Sequence, residues 1–172
     1  MLELIHFESY DTSVPAILDA MDASGIFNRH QTILIKPNLV NDSPFPVTTS
    51  PDFVQAVITY LQSCTKARLI IGEGCGDNAL ETTQIFDRLG YTDLARKTGV
   101  ELMDLNHEPL VTRHLEGAQV FQSIHLPEIV FDSFILSLPV LKAHSLAGIT
   151  GTLKNMMGLA PPAHYSGGGM WK

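Results

Sequence analysis

Residues 32–38 read TILIKPN, a compact apolar run that ends in Lys36-Pro37-Asn38. Residues 32–35 have the make-up of a strand. Pro37 has no N–H to give to a sheet ladder, so the strand is expected to stop there. A loop rich in Pro, Ser and Asp follows. Ser50 then caps a helix, with Pro51 at its first position and Asp52 in its first turn. Phe53, Val54, Val57, Ile58 and Leu61 supply that helix with a buried face. Residues 68–71 form the next strand, which opens into Gly72-Glu73-Gly74-Cys75-Gly76-Asp77. Strand, amphipathic helix, strand is the pattern from which parallel sheets are assembled.

The rest of the chain extends this pattern. Residues 2–7 alternate apolar and polar side chains, as a half-buried strand does. Val14, Ile17, Leu18 and Met21 lie at helical spacing, and Gly25 is placed to stop that helix. Asn78, with Glu81 three residues on, resembles a capping box. It predicts a helix through Leu89 and a second over residues 92–97 closed by Gly99. Residues 101–105 read as a strand, residues 110–115 and 122–126 as a hairpin around Glu116-Gly117, and residues 128–131 as a short helical turn. Residues 133–138, SFILSL, are the most apolar strand and are expected near the sheet centre, buried on both faces. The expected fold is a single α/β domain over residues 1–172. Its sheet is mostly parallel or mixed, flanked by helices, with a small β-hairpin insertion.

The totals narrow the function. A chain of 172 residues suits one domain with a real core. Its net charge of −7 and the lack of a basic stripe argue against a nucleic-acid partner. No apolar run reaches the roughly 18 residues of a membrane helix, and MLELIHFESY has no basic n-region, so neither a membrane partner nor a signal peptide is expected. Cys64 and Cys75 have no metal or redox spacing and read as free thiols of a cytoplasmic protein. All 18 acids lie at or before Asp132, whereas Lys142, Lys154, Lys172 and two histidines follow it. A local positive field of this kind favours a small anionic ligand. Three lysines in forty residues are also what an ordinary surface carries.

In parallel sheets the carboxyl ends of the strands face the ligand crevice. Three loops are expected to meet there: residues 36–38, 72–77 and 138–158. Lys36, Lys142 and Lys154 would supply charge, Asn38 and Asn155 hydrogen bonds, and His144 a proton. The glycine-rich turn, with Gly72, Glu73 and Gly74, lacks the G-x-G-x-x-G fingerprint, and Glu73 would repel a phosphate. Glu73 or Asp77 would instead hold a metal or accept from a hydroxyl; the bland alternative is a tight turn that needs positive φ. GITGTLKN lacks the phosphate-loop spacing. With Thr150 or Thr152 as a helix cap, Lys154 falls in the first turn, where the helix dipole disfavours it by roughly 0.3–1 kcal/mol. A bound anion, or simple exposure, would resolve that conflict. His144 gains a role as base or metal ligand only in the company of Lys142, Lys154 and Asn155. His107, His114 and His125 show no partner spacing and read as structural; His164 sits in a loop; no metal-ligand set is assigned. No G-x-S-x-G elbow is present.

Several segments carry a family resemblance: IKPNL, VTTSPDFVQAVITYL, the GEG turn at Gly72, FDRLGYTDLARKTGVELMDL and, above all, LPVLKAHSLAGITGTLKNMMG. Together they resemble the "domain of unknown function 362" family over nearly the whole chain. The resemblance implies redox company, because many relatives carry ferredoxin-type domains for [4Fe-4S] clusters. This chain has no cysteine cluster of its own, so such an iron–sulfur protein would be a partner in trans. The resemblance also implies a C-terminal part beyond Lys172. The pattern K-x-H-x-x-x-G-x-x-G-x-x-K, from Lys142 to Lys154, is more distantly similar to the nickel-pincer lactate racemases. That similarity implies His144 as acid/base and Lys154 as tether of a phosphate-bearing, metal-holding cofactor. Two functions are thus expected: binding of a small anionic ligand or cofactor, with His/Lys acid–base chemistry of racemase or isomerase type, or a redox-associated module.

Overall fold

Ser9 starts α1 (Tyr10–Ala20) by accepting from the Thr12 N–H at 3.2 Å. The computed structural model describes residues 4–145 and 148–166. After α1, Asp22 adopts φ 50 and opens α2 (Ala23–Phe27), so Gly25 lies inside a second helix and does not end the first. β1 (Thr32–Pro37) follows and, as its proline requires, ends at Pro37. Ser50 accepts from the Asp52 N–H at the start of α3 (Pro51–Cys64), which leads to β2 (Arg68–Glu73). The next helix, α4 (Thr82–Arg88), begins later than Asn78 predicts: Glu81 is its N-cap, and Gln84 Oε1 accepts from the Glu81 N–H at 2.9 Å. Then come α5 (Tyr91–Thr98), closed by Gly99 at φ 72, and β3 (Glu101–Asp104). β4 (Leu110–His114) and β5 (Ser123–Pro127) form the antiparallel hairpin. The chain continues through α6 (Glu128–Asp132), β6 (Phe134–Leu138), and a second hairpin of β7 (Lys142–His144) and β8 (Gly148–Thr150). It closes with α7 (Thr152–Asn155), a 3-10 turn (Met156–Leu159) and α8 (Pro162–Tyr165).

β3, β2, β1 and β6 form one parallel sheet, in that order. Ile33 stands opposite Leu69 on one side and Phe134 on the other. Ile33, Leu34 and Ile35 are all fully buried, each contributing roughly 1.5–3 kcal/mol. Alternate side chains feed two cores. Ile33, Ile35 and Ile71 pack with α3, α4 and α5, whereas Leu34 and Ile70 pack with Leu105, Leu159 and the apolar face of α6. The sheet is therefore covered on both faces, as parallel sheets are.

Two sequence expectations give way. Residues 4–7 are exposed and outside any strand; residues 1–3 lie outside the described residues. β6 is an edge of the sheet, paired with β1 alone among the described residues, and only Leu138 in it is buried. The central positions belong to β1 and β2, whose apolar runs are no longer than that of β6. Strand order, which composition does not encode, decides which run is enclosed.

The order reverses at β1, because β2 and β3 build to one side of it and β6 to the other. The crevice at such a reversal, outside the strand carboxyl ends, is where open parallel sheets take ligands. Here Thr49 pins it. Its hydroxyl donates to Leu138 O at 2.7 Å and accepts from the Asn38 N–H at 2.9 Å. Tyr91, buried beneath, donates to Thr49 O at 2.9 Å.

Candidate functional site

Lys36, next to the end of β1, and Glu73, the last residue of β2, form an ion pair that is almost fully enclosed, at 0% and 2% exposure. The Lys36 ammonium also donates to Pro37 O at 3.1 Å and reaches Asn155 Oδ1 at 3.4 Å. The other Glu73 oxygen accepts from the Leu39 N–H at 2.9 Å, and Glu73 Oε1 accepts from the Gly74 N–H at 3.0 Å. Asn155 completes the set, donating to Lys36 O and Ser137 Oγ, both at 3.0 Å. Enclosing two charges costs several kcal/mol each, and only a pairing as fully hydrogen-bonded as this one offsets it. Gly158 is held against the pair so closely that a Cβ there would lie 2.8 Å from the Lys36 ammonium. A Cβ on Gly74 would lie 2.6 Å from Gly158 O and from Asn106 Oδ1. Both positions demand glycine because there is no room for more.

Beside this pair opens a cavity of about 350 Å³, within the range of small-molecule sites. Lys36, Asn38, Glu73, Gly74, Lys154 and Asn155 border it on the polar side. Val40, Met157, Pro162 and Tyr165 supply an apolar wall. Tyr165 is anchored through its hydroxyl, which accepts from the His125 N–H at 2.8 Å and so ties α8 to the β4–β5 hairpin.

The cations differ in their company. Lys142 donates to Asn38 Oδ1 at 3.1 Å and to Val47 O, both neutral acceptors. Neither Lys142 nor Lys154 makes an ion pair among the described residues. Burial pushes the Lys142 ammonium below its ordinary value of 10.5, and the like charge of Lys154 pushes it further. The two ammonium groups are thus near enough for their like charges to repel, and neither has a carboxylate partner among the described residues.

A family model described as a domain of unknown function, DUF362, matches residues 33–168. The chain belongs to the DUF362 family. No curated protein and no solved structure matches it, and the similarity to lactate racemases is not shown.

In this DUF362 chain the three strand-end loops do come together: Lys36, Asn38, Glu73, Gly74, Lys154 and Asn155 share one cavity, and Lys142 stands on Asn38. Other expected residues sit elsewhere. Gly72 lies within β2, where a Cβ would be 2.5 Å from Leu34 Cδ1, so it serves sheet packing. Neither Gly72 nor Gly74 has positive φ, so the turn is built on close approach, not on a left-handed conformation. Thr150 is buried at the end of β8 and caps nothing; Gly151 is the N-cap of α7, without a side-chain cap. With four residues in α7 and Lys154 in its last turn, the expected conflict with the helix dipole does not arise. His144 ends β7, opposite Gly148, and is not part of the cavity lining. The charge of Lys36 faces Glu73 and is not offered to a ligand. Sequence reasoning passed over the apolar wall. Its one legible signal is the cluster of Pro161 and Pro162 just past Gly158, which starts α8 and places Pro162 in the lining.

Proposed function

We propose that this DUF362 domain binds a small molecule with an anionic head, a phosphate or carboxylate, and an apolar body. The observation that carries the reading is the pair of lysines, 142 and 154, at the switch point of the sheet, with no carboxylate partner among the described residues. An anion there would relieve the repulsion between them, and Asn38, whose Oδ1 accepts from Lys142, is placed to orient it with its amide N–H. The apolar wall of Val40, Met157 and Pro162 would take the rest of the molecule, with Tyr165 as an aromatic face. The buried Lys36–Glu73 pair stiffens the floor and supplies no net charge.

Thermal unfolding in the presence of nucleotides, inorganic phosphate and hydroxy acids tests this. A ligand at a hundred times its Kd stabilises by about 2.7 kcal/mol, which for a chain of this size raises Tm by about 5–10 °C. Lys154→Ala should abolish the shift, and His144→Ala should leave it unchanged. A shift that survives Lys154→Ala would sink the reading.

A further inference from the structure

Beyond the cavity, the turn after β3 brings Asp104 and His107 against Glu81, which lies 26 residues before His107 in the sequence. Glu81 Oε2 lies 3.3 Å from His107 Nε2, and His107 Nε2 lies 3.8 Å from Asp104 Oδ2. The three atoms are all within 4.8 Å of one another. We infer that Glu81, Asp104 and His107 form a site for a divalent transition-metal ion of the zinc type.

The decisive atom is Asp104 Oδ2. The Asp104 side chain is only 10% exposed, and this oxygen is buried without a hydrogen-bond partner. Its twin, Oδ1, accepts from the Asn106 N–H at 3.0 Å, which fixes the carboxylate with Oδ2 turned toward His107. Buried carboxylate oxygens are nearly always satisfied, and one that is not calls for an explanation such as an ion. A metal supplies it. The surroundings offer two carboxylates and an imidazole nitrogen, the donor set that zinc and its neighbours accept and that magnesium, a hard oxygen-seeking ion, does not favour. In a tetrahedral site with bonds of about 2.0–2.1 Å the ligand atoms are about 3.3 Å apart. The Glu81–His107 separation already matches, the His107–Asp104 separation exceeds it by about half an ångström, and the exposed side chains of His107 and Glu81, 68% and 45%, can rotate to draw the three atoms, now within 4.8 Å of one another, around an ion. Three protein ligands leave the outward position to water.

The frame is held from two sides. Glu81 is the N-cap residue of α4, and the Asp104–His107 turn closes with the His107 N–H donating to Asp104 O at 3.1 Å. Asn106 between them donates to Cys75 O at 2.8 Å, joining this turn to the loop that carries Gly74. A bound ion would thus clamp the start of α4 to the end of β3, next to one wall of the cavity.

The test is titration of the full chain, stripped with EDTA, with ZnCl2 alone and in parallel with MgCl2, read by calorimetry. The expected result is one strongly bound zinc per chain, with magnesium weaker. Both His107→Ala and Asp104→Asn should weaken zinc by at least about tenfold. If Asp104→Asn does not fold, the exposed His107 still carries the test. Cobalt in place of zinc gives visible bands that report nitrogen and oxygen ligands and should vanish in His107→Ala. His125→Ala is the control, because the rings of His125 and His164, with centroids 4.3 Å apart and tilted by 47°, are another histidine pair that zinc would find. No stoichiometric zinc binding, or binding that survives His107→Ala, overturns the assignment. Lys154→Ala should leave zinc binding intact, which keeps this inference separate from the anion reading.

Discussion

Lys36 and Glu73 set the terms at the scale of single residues. Each is the other's compensation, so removing one leaves an enclosed charge unpaired. Lys36→Met or Glu73→Leu alone should cost about 3–5 kcal/mol, whereas the double change should cost less than either, because no charge is then stranded. Urea unfolding of the three variants measures this; a double variant as unstable as the sum of the singles would show that the pair is not the unit. Lys142 contributes to the pH response at the cavity rim. Its folded-state value is lowered, so the unfolded chain holds the extra proton over the window between that value and 10.5. Its cost to stability is therefore present at lower pH and fades as pH rises through that window. Anion binding runs the opposite way, since it needs the charged form: affinity should fall as pH rises through the same window, below the ordinary lysine value. Calorimetry from neutral to alkaline pH follows this, and Lys142→Arg should flatten that part of the fall. The Cys75 thiol, pushed by burial up to about 11, stays protonated at neutral pH and does not compete as a nucleophile.

At the scale of elements, α3 shows how local signals determine a helix. Ser50, Pro51 and Asp52 each satisfy a different need of its first turn, and Val54, Val57, Ile58 and Leu61 lie on its buried face. Ser50→Ala should cost about 0.5–2 kcal/mol, read as a lower urea midpoint with an unchanged slope. A change in slope would mean that the cap organises more than its own helix. Most boundaries of α3, α5, β1, β2 and the β4–β5 hairpin were legible from such signals. The start of α4 was not: Asn78 and Glu81 have the spacing of a capping box, but the box actually formed runs from Glu81 to Gln84. Asp77 explains the difference, because its carboxylate accepts from the Ala79 and Leu80 N–H groups and holds them in a turn before the helix. β6 was misjudged for another reason. Its apolar run says that it is buried somewhere, not how many strands flank it.

The whole molecule brings residues 36–76 and 154–166 to one cavity, so no single segment contains the site. Ligand binding should therefore protect amides from hydrogen exchange in three places together: residues 38–40, 74–76 and 154–166. Protection confined to one of them would mean a surface patch instead of a shared pocket. Among the described residues no helix is long and apolar enough to cross a membrane.

The sequence by itself determined the α/β class, the strand ends that meet at the cavity and the placement of positive charge after Asp132. These are local properties, written in periodicity, capping and composition. Only the tertiary structure decided that Lys36 spends its charge on Glu73, that Lys142 and Lys154 make no ion pair among the described residues, and that His107 meets Glu81 and Asp104. The reason is physical: a side chain's charge is set by what lies within a few ångströms, and those neighbours come from strands whose order no local pattern encodes.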